Sequence, residues 1–187
     1  MGLTAFLERH WVAGAGFMAG ALLLLAPILA LSWPWPLLAI FLHSPGYMVH
    51  QVEEHTGDRF RAFTNARMFG GREGLTTFDV LWVNCGMVWG LNLAALHLAW
   101  FVAPGWALAA PFLMVVNAIG HIGASLRFRV YNPGLATALV IFLPLGAATL
   151  LTVDASLAQR AVGLALAVAC HVAIMLNSAR RLASLPA

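Results

Sequence analysis

The segment HQVEEH, residues 50–55, places two imidazoles and two carboxylates within six residues of a chain that carries few charges. In a helix, at about 100° per residue, His50 and Glu54 lie one turn apart on one face, and Glu53 lies beside them. A histidine and a carboxylate in this relation can bind one metal ion, as they do on zinc-binding helices. The segment therefore predicts metal or acid–base chemistry.

A second polar segment, NAIGHIGAS at 117–125, offers a further ligand. Asn117 and His121 are one helical turn apart and share a face. Adding His121 to the first segment makes a two-histidine, one-carboxylate set, which in zinc enzymes leaves one position open for water. The predicted ligands of a divalent metal ion, with zinc favoured over iron or manganese, are His50, Glu53, Glu54 and His121.

Other polar side chains share the predicted depth or face of these residues, and buried ionisable groups in membrane helices usually carry function. Catalytic roles are predicted for Glu53 (as general base), Asn117 and Tyr47. Bonds to the metal ligands or to the substrate are expected from His43, Asn84 and His171. His55 lies about 140° from His50 on the helical wheel, and we expect it to face the membrane interface.

Composition places the chain among membrane proteins. Of its 187 residues 61% are apolar and 9% are charged, and the mean hydropathy is +0.85. A soluble domain carries about 25% charged residues. We predict one all-α domain, residues 1–187, that is a polytopic membrane protein with six transmembrane helices in one bundle. A helix needs about 20 apolar residues to cross the bilayer, and the predicted spans are about 11–32, 36–55, 79–102, 105–127, 133–153 and 158–178.

The arginines agree with this layout. All ten basic residues are arginine, and six spans place every one except Arg160 on the same side of the membrane. The positive-inside rule then makes both termini cytoplasmic, which predicts a multi-pass protein of the inner (cytoplasmic) membrane. The arginines are scattered over several loops, so we expect no nucleic-acid partner. The expected partners are membrane lipid and a small lipidic or amphipathic substrate.

The polar segments also resemble a known family. HQVEE at 50–54 resembles the signature of the HXXEE-domain family of bacterial integral membrane proteins. VNAIGHI at 116–122 and YNPG at 131–134 extend the likeness, as does Asn84, so that it covers about residues 40 to 140. The resemblance implies a small helical membrane protein with a metal-dependent activity, and it implies no particular substrate.

These residues favour an integral-membrane metalloenzyme, most simply a hydrolase. A bound metal lowers the pKa of its water to about 7, and Glu53 would accept the proton. A carboxylate-rich di-metal oxidoreductase and a metal-free Glu/His isomerase are alternatives. A proton or ion transporter is a third, because intramembrane Glu and His also serve as relays. Against transport, only His97 and Asn92 lie toward the predicted outer side.

Overall fold

The computed structural model describes residues 2–185, and within this range the chain is helical and contains no strand. The prediction of an all-α fold is confirmed. Six long helices and one short helix follow one another along the described chain. They are α1 (Leu3–Ala30), α2 (Trp35–His55), α3 (Arg59–Arg67), α4 (Thr77–Phe101), α5 (Pro104–Phe128), α6 (Leu135–Thr152) and α7 (Leu157–Ser184).

Five of the long helices, α1, α4, α5, α6 and α7, are long and apolar enough to cross a membrane. Large apolar side chains cover their outer faces, with Phe17 83% exposed and Leu24 79% exposed on α1. An exposed apolar surface of this extent is typical of contact with lipid or a partner and is rare on soluble monomers. The prediction of six apolar spans is therefore correct for five helices, and α2 is the exception.

Helix α2 lies at the centre of the bundle and packs against α1, α4, α5 and α6. Its buried side chains include His43, His50, Gln51 and Glu54. Helices surround α2 on several sides, so its sequence can be more polar than that of a lipid-facing helix. Polar groups in membrane helices generally face the bundle interior for this reason. The predicted bounds of about 36–55 agree closely with the observed helix.

The helix ends follow local signals in the sequence. Ser156 caps α7, where its hydroxyl accepts from the Gln159 N–H and the Gln159 side chain accepts from the Ser156 N–H. Thr76 and Asp79 form the same reciprocal pair at the start of α4. Helices α1 and α7 are 28 residues each: α1 begins well before its predicted span, and α7 continues well past the end of its predicted span. Hydropathy marks the apolar part of a helix, whereas the helix continues until the backbone is capped or broken.

Two of the long helices contain wide π-helical turns, over Trp82–Val88 in α4 and Ala138–Phe142 in α6. A π turn inserts one residue into a helical turn and changes the direction of the side chains around it, and such turns are frequent at functional sites. Asn84 lies in the first and Phe142 ends the second. Asn84 belongs to the site described below, and the Phe142 ring lies 4.1 Å from the ring of His50.

The segment between α2 and α4 folds back over one end of the bundle. Gly57 and Asp58 have positive φ angles of 67° and 61°, which reverse the chain after α2. Arg61 on α3 then pairs with Asp58 at 2.5 Å and with Glu73 at 2.8 Å. The hydrogen bonds to Asp58 are the main reason that the pKa of Arg61 is raised. This end, formed by the start of α1, the end of α2, α3 and the end of α7, is called the arginine-rich end below.

Candidate metal centre

Three imidazoles surround the carboxylate of Glu54, which is 5% exposed. The His50 Nε2 atom lies 3.4 Å from Glu54 Oε2, and the His121 Nε2 atom lies 3.4 Å from Glu54 Oε1. His55 Nε2 is 3.0 Å from Oε2. His50, Glu54 and His121 each offer one ligand atom, and these atoms all lie within 4.8 Å of one another.

These distances suit a single small ion. Ligands bound about 2.0–2.2 Å from a tetrahedral zinc are roughly 3.3–3.6 Å apart. The two His–Glu distances of 3.4 Å fall in this range but end on different oxygens of Glu54. One ligand atom from each residue lies within 4.8 Å of the others, so an ion would draw the three side chains slightly closer together. The three residues are buried, so the arrangement differs from an exposed acidic cluster. Among the described residues, the helices therefore bring together three of the four side chains that were predicted as ligands, and this group could hold a metal ion.

A hydrogen-bond relay determines which nitrogen of His50 is free. His50 Nδ1 lies 2.7 Å from the Thr137 hydroxyl, and this hydroxyl donates to Glu53 Oε2. A carboxylate can only accept, so the hydroxyl uses its proton there and must accept from His50 Nδ1–H. The Nε2 atom then carries the lone pair, and it is buried without a hydrogen-bond partner. A carboxylate that orients a metal-binding histidine in this way is common in metal sites.

Glu53 faces a different part of the structure from Glu54. Its Oε1 accepts from the Tyr131 hydroxyl and from the N–H groups of Gly134 and Ala136, at 3.1 and 3.2 Å for the latter two. Its Oε2 accepts from the Thr137 N–H at 2.7 Å. The carboxylate therefore satisfies free N–H groups at the start of α6.

Because of these bonds, Glu53 is directed away from the group with which it was predicted to bind a metal ion and to act as general base. Both of its oxygens are engaged by the 131–137 segment, and the group of ligand atoms contains Glu54 alone of the pair. The two side chains diverge because consecutive residues on a helix point about 100° apart. The same contact affects Tyr131. The pKa of its hydroxyl is raised, mainly by burial and next by the hydrogen bond to Glu53.

The prediction that His55 faces the membrane interface is wrong. Its side chain is 6% exposed. The Trp11 and Phe60 rings lie 5.0 and 5.6 Å from its ring. Helices α1 and α3 cover the side of α2 that a helical wheel of α2 alone leaves outward. A helical wheel of one helix does not show which neighbouring helices cover each of its faces.

A network of hydrogen-bonded side chains contacts His55. Trp89 Nε1 donates to Gln51 Oε1 at 2.8 Å, and Gln51 Nε2 donates to Asn84 Oδ1 at 2.9 Å. Asn84 Nδ2 in turn donates to the Val80 carbonyl at 2.8 Å and lies 3.1 Å from His55 Nε2. An indole N–H can only donate, so it determines the orientation of both amides. Asn84 thus reaches the site through His55, with Gln51 and Trp89 as additional members.

A cavity of about 440 Å³ begins at Glu54 and His121 and lies between α4 and α7, with α5 as its floor. Its wall is mainly apolar and includes Val83 and Met87 of α4 and Met175 of α7. Helix α3 and the loop that follows it cover the cavity at the arginine-rich end. The residues contributed there are Phe60, Thr64, Met68, Phe69 and Leu75.

The other predicted site residues divide into two groups. Tyr47, Asn117 and His171 line the cavity together with Asn84. His43 is fully buried, its Nδ1 bonds the Ala39 carbonyl at 2.8 Å, and it is not part of the cavity wall. His43 lies about two helical turns before His50, and this distance along α2 separates it from the group of His50, Glu54 and His121.

A family comparison covers the same residues. A family model described as "Protein of unknown function with HXXEE motif" matches residues 41–149. The chain belongs to the HXXEE family. The motif letters H, E and E correspond to His50, Glu53 and Glu54, and the matched region also contains His121. No curated protein and no solved structure matches the chain.

The HXXEE motif alone would not identify the residues that hold its histidines in place. Gly134 has a φ of +98°, and a Cβ atom there would lie 2.5 Å from His121 Cε1 and 2.8 Å from His50 Cε1. Glycine is therefore needed both for the backbone conformation and for space. The YNPG turn was a visible signal for this position. Thr137 gave no signal beyond a hydroxyl in the first turn of a predicted span.

Proposed function

We propose that this HXXEE protein is an integral-membrane, metal-dependent enzyme, and that it is a hydrolase. The observation that carries the proposal is the buried group of His50, Glu54 and His121 at the polar end of an apolar cavity. A buried carboxylate costs several kcal/mol unless it is compensated. Neutral imidazoles compensate it weakly, whereas a divalent cation does so strongly. Zinc is favoured because two histidines and one carboxylate form a frequent catalytic zinc set.

Each side chain then has a defined task. His50, oriented by Thr137, and His121 would hold the ion from two sides, and Glu54 would complete the set. The ion would lower the pKa of a bound water to about 7. His55 lines the cavity and lies 3.0 Å from Glu54 Oε2. We assign the proton-accepting role to His55 in place of Glu53, because Glu53 is directed to the start of α6 whereas His55 lines the cavity.

The cavity supports a lipidic or amphipathic substrate. It lies between two helices that are apolar enough to span a membrane, and α7 packs mainly against α5. A chain could therefore enter sideways from the bilayer between α4 and α7. We place the protein in the bacterial inner membrane as a multi-pass protein, with α2 as the sixth span and both termini cytoplasmic. The arginine-rich end would then be the cytoplasmic one.

Element analysis of the purified protein tests the metal centre. We expect about one zinc ion per chain in wild type and none in His50→Ala or Glu54→Gln. His97→Ala is the matched control, since His97 is exposed and bonds only the Leu93 carbonyl among its described contacts. A dodecanoate nitrophenyl ester in mixed micelles should be hydrolysed, and chelation should stop the reaction until zinc is restored.

The outcomes separate the alternatives. Stoichiometric metal in His50→Ala, or metal-free wild type, would contradict the proposed centre. Iron in place of zinc would favour the di-metal oxidoreductase. Turnover of an isomerisable substrate without metal would favour the Glu/His isomerase, and proton flux in liposomes without turnover would favour the transporter.

A further inference from the structure

We propose that Asn117 and Asn132 form the binding site for the polar head of the substrate, and that this head is neutral and carries hydroxyl groups. The inference rests on the proposed function, because it names the class of molecule that the cavity takes. It predicts a single-chain amphiphile with a glycerol-like head.

The side-chain oxygens of both amides lack a hydrogen-bond partner within the part of the chain that the structure describes, and both residues line the cavity. Asn117 and Asn132 line the cavity. The Oδ1 atoms of both are buried without a hydrogen-bond partner, and Asn132 is only 2% exposed. A buried carbonyl oxygen without a partner is unfavourable, and each such case in a folded protein asks for an explanation. A ligand that donates hydrogen bonds to both oxygens provides one.

The two amides approach the metal centre from different elements. Asn117 precedes His121 by one turn of α5, so both side chains lie on one face of the helix. Asn132 lies two residues before Gly134, where an added Cβ atom would lie 2.5 Å from His121 Cε1 and 2.8 Å from His50 Cε1. A head group held by both amides would therefore lie beside the proposed ion.

The apolar wall of the cavity determines which kind of non-polar tail the substrate can have. Val83 and Met87 of α4 face Ile174 and Met175 of α7, which suits an alkyl chain. Met175 is 69% exposed, so the chain can leave the cavity between α4 and α7 toward lipid. The volume of about 440 Å³ is in the lower part of the usual range for small-molecule sites and favours one chain over two.

The hydrogen-bonding capacity of the two amide oxygens selects the head group. Both oxygens are acceptors that lack a donor among the described residues. An ionised carboxylate or phosphate head has no proton to donate to them. Hydroxyl groups can donate to them and leave the bond to be hydrolysed next to the centre.

Two non-hydrolysable probes test this inference. One is a dodecyl glycerol ether with two free hydroxyls, and the other is the same molecule with both hydroxyls methylated. Their binding to the detergent-solubilised, metal-loaded protein is measured by calorimetric titration. Wild type should bind the diol at least ~10-fold more tightly, which corresponds to about 1.4 kcal/mol. Asn117→Ala and Asn132→Ala should each lose most of this preference and keep the bound metal.

Asn92→Ala is the control. Asn92 is also a buried asparagine with an unpartnered Oδ1, but it is not part of the cavity wall. Equal loss in Asn92→Ala, full preference in the two cavity variants, or no preference in wild type would overturn the inference. If Asn117→Ala does not fold, Asn117→Ser is measured in its place, and it should show an intermediate preference for the diol. A wild-type protein that prefers the diol but contains no metal would contradict only the proposed hydrolase. A wild-type protein that contains metal but shows no preference for the diol would contradict only the head-group site.

Discussion

At the scale of single residues, the two glutamates of the HXXEE motif do different things. Glu54 faces three imidazoles, and Glu53 binds the start of α6 and, through Thr137, orients His50. Adjacent carboxylates repel each other when they share one site. Here the helix directs them to separate partners, which removes most of that repulsion.

The relay through Thr137 leads to a prediction at this scale. Thr137→Val removes the hydroxyl and keeps the shape, so His50 loses the partner that determines its tautomer. We expect zinc affinity to fall about 10- to 100-fold, as for other residues that orient metal-bound histidines, and Thr137→Ser to restore it. Competition with a chromophoric chelator measures the affinity.

Thr149→Val is the control for this prediction. Thr149 is fully buried on the same helix, and its hydroxyl bonds the Leu145 carbonyl. Unchanged affinity in Thr137→Val, or an equal loss in Thr149→Val, would show that the relay does not orient His50.

At the scale of helices, a polar clamp joins α4 to α7 at the arginine-rich end. Asp79 accepts from the Asn177 side chain at 3.1 Å and pairs with Arg181 at 3.1 Å. It also completes the capping pair with Thr76. The clamp closes one end of the gap between the two helices that form the cavity walls.

We predict that Asp79→Ala lowers the thermal unfolding midpoint more than Arg181→Ala does. The aspartate variant loses the bonds from the Thr76 N–H and hydroxyl to the Asp79 carboxylate, which are one half of the capping pair, together with its partners on α7. Arg181 is about one third exposed, so the pair itself should contribute only about 0.5–1 kcal/mol in a double-mutant cycle. Asp154→Ala, at the opposite end, is the control. A coupling near zero would mean that the clamp does not hold the helices together.

At the scale of the whole molecule, one end of the bundle concentrates the charged and polar groups. Trp11 of α1 contacts His55 of α2, and Arg72 donates to the Leu182 carbonyl of α7. The start of α1 and the end of α7 are therefore at the same end. The candidate metal centre lies near this end, and Phe60 of α3 contacts both His55 and His121.

The proposed orientation predicts the outcome of fusion experiments. A fluorescent protein fused to either terminus should fluoresce, because it would fold in the cytoplasm. Alkaline phosphatase inserted at Asp154, in the α6–α7 turn, should be active, because it would be exported. Phosphatase activity at either terminus would contradict the orientation given by the positive-inside rule.

Much of the fold followed from the sequence by itself. Runs of apolar residues located the long helices, because the cost of exposing a polar backbone to lipid leaves helices as the main solution. Helical periodicity placed His50 and Glu54 on one face, and the shared depth of His121 predicted that it would join them. These are properties of single helices, and single helices obey local rules.

The tertiary structure alone decided the surroundings of each face. It buried His55 under α1 and α3, directed Glu53 to the start of α6, and brought Thr137 and Asn132 to the site from a distant turn. These contacts join residues about 80 positions apart, as from Glu53 to Thr137, and depend on how helices pack, which no local period encodes. Side-chain chemistry and spacing therefore determined which residues could bind a metal, and the packing of seven helices determined which of them meet.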